Sequence, residues 1–234
     1  VTTVSSAILD PLMASDPAGP RITYYDDATG ERIELSTATL VNWAAKTGNL
    51  LRDEMGAGPS SRVAVLLPAH WQTAAVLFGI WWIGAEVVTD AEADIALCTI
   101  DRLADADDAV GVGEVAVLSL DPFGKPATGL PVGVTDYATA VRVHGDQISP
   151  ERHPGAALAG LSVDEVLVAA QTSAAAQGFT ASDRVMSSAP WNTAEEITAN
   201  LLALYSVGAS LVQVANPDTA ALDRRRQTEK VTRG

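Results

Sequence analysis

The sequence predicts a layered α/β fold with a mostly parallel sheet, and two observations predict it. Short apolar runs alternate with helix-patterned segments along most of the chain, the order that builds strand–helix–strand layers. One of those runs, residues 63–67, is apolar at every position, which suits a strand buried on both faces of a parallel sheet. The chain has 234 residues and 47% of them are hydrophobic, enough to bury a sizeable core. A single α/β unit over 1–234 is expected, with a subdivision into 1–148 and 149–234 as the alternative.

Residues 1–20 read as a short helix followed by the turn-rich run Asp16-Pro17-Ala18-Gly19-Pro20. Residues 21–25 and 32–35 flank Asp26-Asp27-Ala28-Thr29-Gly30, the pattern of a β-hairpin with glycine in its loop. Ser36 suits the N-cap of a helix in which Leu40, Trp43, Ala44, Leu50, Leu51 and Met55 recur at helical spacing, and Gly56 stops it. A turn at Gly58-Pro59-Ser60-Ser61 leads into the 63–67 strand, which Pro68 ends. The helix predicted over 70–83 is apolar nearly all round, so it belongs inside the molecule or in an interface. Short strands follow at 86–89, 95–99 and 115–120. Residues 121–133 form a loop rich in Pro and Gly, and 137–143 fit a helix or a strand. After a loop at 149–160, Ser162 and Glu165 make a capping box for a helix to about Ala176. A strand at 184–188, a helix at 193–207, a strand at 211–214 and a polar helix at 218–230 follow.

Charge narrows the partners. Lys and Arg number 15 against 29 Asp and Glu, a formal net charge of −14. No nucleic-acid partner and no anionic membrane surface is expected, because both attract clustered Lys and Arg. Cys98 is the only cysteine, so no internal disulfide can form, and one thiol suits a reducing compartment. The first basic residue is Arg21, so the opening residues are not expected to be a signal peptide. The longest apolar stretch, 74–85, falls short of the roughly 20 residues that span a bilayer. A cytoplasmic location is expected.

The familiar chemical motifs are missing. His70, His144 and His153 form no metal-ligand spacing with Cys98 or one another, so no metal site is expected. His70 begins a helix, where capping or a surface place is expected rather than catalysis. Gly111-Val112-Gly113 precedes a strand, the wrong order for a dinucleotide turn, and Gly124-Lys125 lacks the Ser or Thr of a Walker loop. Asp101, Asp105, Asp107 and Asp108 lack the spacing of a calcium loop and read as a solvated helix face. Trp81-Trp82 reads as core packing rather than a stacking platform, and Arg224-Arg225-Arg226 as a solvated face.

Two blocks nevertheless resemble one family. Ile22-Thr23-Tyr24, the helix carrying Ala44 to Leu51, Gly58-Pro59 and Ser61-Arg62-Val63-Ala64-Val65-Leu66-Leu67-Pro68 resemble the opening of acyl-CoA synthetases and related adenylate-forming (AMP-binding) enzymes. Ser61 stands where that pattern usually has Asp. Gly178-Phe179-Thr180-Ala181-Ser182-Asp183-Arg184-Val185-Met186, then Ala189-Pro190-Trp191-Asn192, and Gly208-Ala209-Ser210-Leu211-Val212 are similar to a second stretch of the same family. The resemblance implies an α/β unit like the N-terminal subdomains of those enzymes, and a cleft region at Pro190, Trp191 and Asn192.

It also implies a phosphate loop just before Ser162, rich in Thr, Ser and Gly and ending in Lys-Gly. At that place the chain reads Ser149-Pro150-Glu151-Arg152-His153-Pro154-Gly155-Ala156-Ala157-Leu158-Ala159-Gly160, with no Lys, no Thr and one hydroxyl. Arg152, Gly155 and Gly160 are the remnant that a nucleotide could still meet. The family's adenine-binding strand, Mg²⁺ residue, ribose-binding Asp and mobile C-terminal domain would lie beyond Gly234. Losing one donor to a developing anion costs about 3 kcal/mol, and here the set is missing. The expectation is therefore a non-catalytic short form that binds a protein or a small acyl or nucleotide ligand, with no catalytic residue and no cofactor. One alternative is a minimal acyl ligase that uses ATP and Mg²⁺ and is completed by a partner chain. Another is a homo-oligomeric interaction module, in which a homodimer covers exposed apolar surface.

Overall fold

The computed structural model describes residues 2–234. Its strands form two sheets, and six of the seven pairings between them are parallel. The hairpin of β1 (Pro20–Asp26) and β2 (Glu31–Ser36) is the one antiparallel pair, with Tyr24 opposite Ile33 and Ile22 opposite Leu35. It joins β8 (Arg184–Ser187) and β9 (Ser210–Ala215) in a four-stranded sheet of order β2-β1-β9-β8. The second sheet is β4-β3-β5-β6-β7, built from β3 (Arg62–Leu66), β4 (Glu86–Val88), β5 (Ile95–Cys98), β6 (Glu114–Val117) and β7 (Thr135–Asp136). The first sheet draws strands from both ends of the chain. A boundary at 148/149 therefore runs through it.

Helices α2 (Thr37–Asp53) and α3 (Trp71–Trp82) lie in the layer between the sheets, and their apolar residues share one core with Ile22 and Leu35 of one sheet and Val63 and Leu97 of the other. That position explains why α3 is apolar all round: every residue from Trp71 to Trp82 is buried. The same core takes in α1 (Val4–Ser15) and α6 (Val163–Gln177). The predicted capping box at Ser162 and Glu165 is present, and Gly178 ends α6 in the left-handed region at φ 69°. The helix expected at 193–207 consists of α7 (Ala194–Ile197), a π-turn at Thr198–Leu202 and α8 (Ala203–Ser206). α4 (Leu103–Val110) covers the outer face of the five-stranded sheet through Ala106 and Val110. The ambiguous 137–143 segment is helical: α5 (Tyr137–Ala140) starts on an Asp136 cap, and the Tyr137 hydroxyl meets Thr47 of α2 at 2.6 Å. β7 was not expected from the sequence.

The polar C-terminal helix is shorter than expected and is not simply a solvated face. α9 (Leu222–Thr228) lies on the outer face of the four-stranded sheet. Arg225 grips Asp27 with both terminal nitrogens, at 2.5 and 3.1 Å, and lies 4.1 Å from the centre of the Tyr25 ring. Glu229 follows, with only 4% of its side chain exposed, and accepts from Arg32 (2.9 Å), Arg184 (2.6 Å) and the Tyr25 hydroxyl (2.5 Å). Burial opposes its charge, but those three donors hold its carboxyl below the ordinary range. The sequence pattern could not show this, because every partner is distant in the chain.

The Ser61 departure is neutral for the fold. Ser61 Oγ accepts the Gly58 N–H at 3.0 Å, and Asp183 Oδ2 accepts the Thr180 N–H at 2.8 Å in the second block. Either oxygen closes a turn three residues back.

α2 and α3 cross backbone to backbone at Gly48 and Gly79. A Cβ on Gly79 would lie 2.8 Å from the Ala44 carbonyl oxygen and 2.9 Å from the Gly48 nitrogen. Alanine normally gains about 1 kcal/mol over glycine in a helix. Here the backbones would have to separate, and overpacking of this kind costs about 1–3 kcal/mol. Gly79→Ala is therefore expected to lower stability in urea unfolding, reversing the sign that helix propensity alone gives.

Candidate functional site

The segment expected to be a phosphate-loop remnant is folded shut. Most of its amides are taken by the chain itself. Glu151 donates to the Trp82 carbonyl, Gly155 to Gly84 and Ala159 to Val87, at 2.9–3.0 Å. Residues 157, 158 and 161 bond within the segment. The amides of Arg152 and His153 both hold the Glu151 carboxylate at 2.8 Å, and that of Gly160 holds Glu86 at 2.7 Å. Two of the protein's own carboxylates thus occupy donors that an anion would need.

The three remnant residues are not brought together as a cradle. Arg152 is exposed. Gly155 packs against backbone, and a Cβ there would lie 1.9 Å from the Pro59 oxygen. Gly160 turns the chain at φ 81°. The crevice between Gly155, Ala157, Trp81 and Gly84 has no room for a water molecule. Trp81 and Trp82 are buried core residues, and the Trp81 indole N–H holds the Ala157 carbonyl at 2.7 Å.

Of Pro190, Trp191 and Asn192, it is Asn192 that lines a cleft. Pro190 is exposed, and Trp191 is 2% exposed within the main core. Asn192 lines a crevice of about 260 Å³ with Leu66, Leu67, Thr89 and Arg102. This crevice lies outside the carboxyl ends of β3 and β4. β3 has β4 on one side and β5 on the other, so the crevice sits where the strand order runs both ways, a usual place for ligands in α/β sheets.

A much larger cleft, about 1080 Å³, opens between the β1–β2 hairpin and the loops after β3, β6 and β9. Tyr24, Glu31, His70, Leu120, Phe123 and Lys125 are among its walls. His70 caps α3: its Nδ1 accepts the Gln72 N–H at 3.0 Å. The neutral ring must then carry its proton on Nε2. The expected capping role is present; a surface place is not, because His70 is 2% exposed between the Tyr24 and Trp71 rings. Burial pushes its pKa down to about 3, with Asp26 pulling weakly the other way.

Nε2 of His70 lies 3.8 Å from Oε1 of Glu31, too far for a hydrogen bond. Glu31 Oε1, His70 Nε2 and Trp71 Nε1 are all buried without a hydrogen-bond partner. Burial raises the Glu31 pKa first of all; the Trp71 indole N–H, close by but outside hydrogen-bond geometry, opposes this, and Asp26 and Asp121 add to it. Such a group at a cleft wall is a functional-site candidate. The sequence carries a signal for it: strand alternation places Glu31 on the same face as Ile33 and Leu35. No group of three or more His, Cys, Asp or Glu among the described residues is placed to hold a metal ion, and no helix there is long and apolar enough to cross a membrane.

No family model matches the chain. A TIGR03089 family protein of Mycobacterium tuberculosis (strain ATCC 25618 / H37Rv) is 70% identical over 237 residues, covering 99% of this chain and 98% of the relative. The chain belongs to the TIGR03089 family. Among solved structures, a Brucella canis acyl-CoA synthetase matches with a TM-score of 0.79 at 18% identity, over 98% of this chain and 46% of that one. Apo MatB from Rhodopseudomonas palustris matches at 0.74 and 17% identity, over 95% and 47%. The inhibitor-bound N-terminal domain of FACL13 from Mycobacterium tuberculosis matches at 0.70 and 15% identity, over 99% and 62%. The fold is therefore the acyl-CoA synthetase-like one expected, and the chain spans about half the length of the Brucella canis and Rhodopseudomonas palustris structures.

The folded state holds the Glu31 proton more tightly than the unfolded chain does, so ionising this carboxyl costs stability. That cost is absent below the unfolded pKa and grows as pH rises through the folded one. Glu31→Gln is expected to unfold at higher urea than the parent at pH 7, with the gap closing below about pH 4. Imidazole nitrogen spectra are expected to show His70 as one neutral ring, protonated on Nε2 and not titrating between about pH 8 and 5.

Proposed function

We propose that this member of the TIGR03089 family binds a small molecule in its large cleft and does not form acyl adenylates. One observation carries the second half: most amides of the segment that would wrap ATP phosphates already hold other groups, among them the carboxylates of Glu151 and Glu86. A polyphosphate entering there would have to break backbone bonds that fasten the segment to α3 and β4. It would also meet like charge within contact distance, which disfavours it further. The net charge of −14 works in the same direction.

The first half rests on where open volume and unmet polarity coincide. The large cleft has both, beside Glu31 and His70; the closed 149–160 segment has neither. Apolar walls with a few directed polar groups are the usual make-up of a small-molecule site. The acyl-CoA synthetases of the same fold lend the scaffold only, since sites rather than folds carry function.

ATP–pyrophosphate exchange by the purified protein, supplied with Mg²⁺ and a panel of organic acids, is expected to stay at background. Millimolar Mg·ATP is expected to leave the melting temperature unchanged, whereas a ligand at 100 times its Kd would add about 2.7 kcal/mol. Acid-dependent exchange would overturn the proposal in favour of a minimal ligase.

A further inference from the structure

We infer that Glu31 anchors the ammonium group of a small organic amine whose apolar body fills the large cleft. The inference rests on the cleft-binding role proposed above and names the chemical class that the cleft takes.

Glu31 is a nearly buried carboxylate without a counter-ion. Its side chain is 8% exposed, and among the described residues the basic group within 4 Å of it is His70. His70 does not supply a charge: its Nδ1 is engaged by the Gln72 amide, and its ring stays neutral in a buried place. Arg32, the next residue, also borders the cleft, but its guanidinium is already held by Glu229 and Glu34 at 2.9 and 3.0 Å. Of the other cleft carboxylates, Asp26 accepts through Oδ1 from the Ala28 amide and the Asn216 side chain, and Asp121 through Oδ1 from the amides of Phe123 and Lys125. Lys125 is the one further cation on the wall, and it makes no ion pair within 4 Å among the described residues.

The geometry around the carboxyl fits a ligand better than it fits an empty wall. Two N–H donors, His70 Nε2 and Trp71 Nε1, are buried behind it without partners. With Oε1 turned inward, a ligand meets the cleft side of the same carboxylate. A buried charge with neither counter-ion nor full hydrogen bonding is costly, and a ligand ammonium supplies what the fold leaves out. The remaining wall includes Ile33, Pro68, Leu120, Pro122 and Phe123, the last 81% exposed, which suits an apolar body. An anionic head group would instead face Asp26, Glu31 and Asp121.

The test uses three probes with one body and different heads: phenethylamine, phenethyl alcohol and 3-phenylpropanoate. Each is titrated into ¹⁵N-labelled parent protein and Glu31→Gln, with the variant's fold checked from its own spectrum. The amine is expected to shift resonances of Tyr24, Glu31 and His70, and to lose roughly tenfold or more in affinity in the variant, the size of a charge-assisted hydrogen bond. The alcohol is expected to bind at least tenfold more weakly, and the acid not at all. Equal binding of alcohol and amine, preference for the acid, or an amine affinity unchanged by the substitution would overturn the inference while leaving a cleft that binds small molecules. If none of the three perturbs the cleft, the inference and the choice of cleft both fall, and the exchange assay still reports separately on adenylation.

Discussion

The rest of the molecule depends on how closely α2 and α3 cross. Two glycines let their backbones touch at Gly48 and Gly79, and close-packed interiors leave little slack for any substitute. The pair forms the layer on which both sheets rest, because the inner faces of both sheets pack into one core with it. A thicker layer would move the sheets apart. The large cleft is walled by the hairpin of one sheet and the loops after β3 and β6 of the other, so the same crossing sets its width.

The crossing also explains why polar groups are stranded beside the cleft. α3 is so deeply placed that its N-cap, His70, is buried as fully as its core residues. A cap must accept an N–H, and the imidazole does so with Nδ1. That leaves Nε2–H facing the hairpin, where Glu31 stands at an inward position of β2. Neither residue is satisfied by the other at 3.8 Å, although a native interior normally leaves few polar atoms unpaired. Moving either would break the cap of α3 or the register of the hairpin, so the mismatch persists as part of the architecture.

Much of the fold was legible in local pattern. The apolar run of β3, the three-and-four spacing of α2 and the capping box of α6 each depend on near neighbours, and each stands where its pattern placed it. Features set by distant partners were not legible. The 137–143 segment looked undecided because its helix is tied by Tyr137 to Thr47, ninety residues away. Arg225 looked solvated because Asp27 and Tyr25 lie at the other end of the chain. The candidate site divides in the same way. Missing Lys and Thr in 149–160 could be read directly, but the fate of its remaining amides could not, because Trp82, Gly84 and Glu86 take them only after folding.

The closed segment and the open cleft have a common origin in α3. At its C-terminal end, the Trp81 indole and the Trp82 and Gly84 carbonyls reach out and bind residues 151–157. At its N-terminal end, the capping requirement buries His70 against Glu31 and leaves polar atoms unmatched. One end of the helix therefore satisfies much of the backbone of the neighbouring loop. The other end leaves a carboxylate at the wall of an open volume, with two unpartnered N–H donors buried behind it. Burial makes unpaired groups expensive in proportion to how dry their surroundings are, so the N-terminal end is where a ligand gains most from binding. Freeing the 149–160 amides would loosen the same contacts that tie this loop to the C-terminal end of α3.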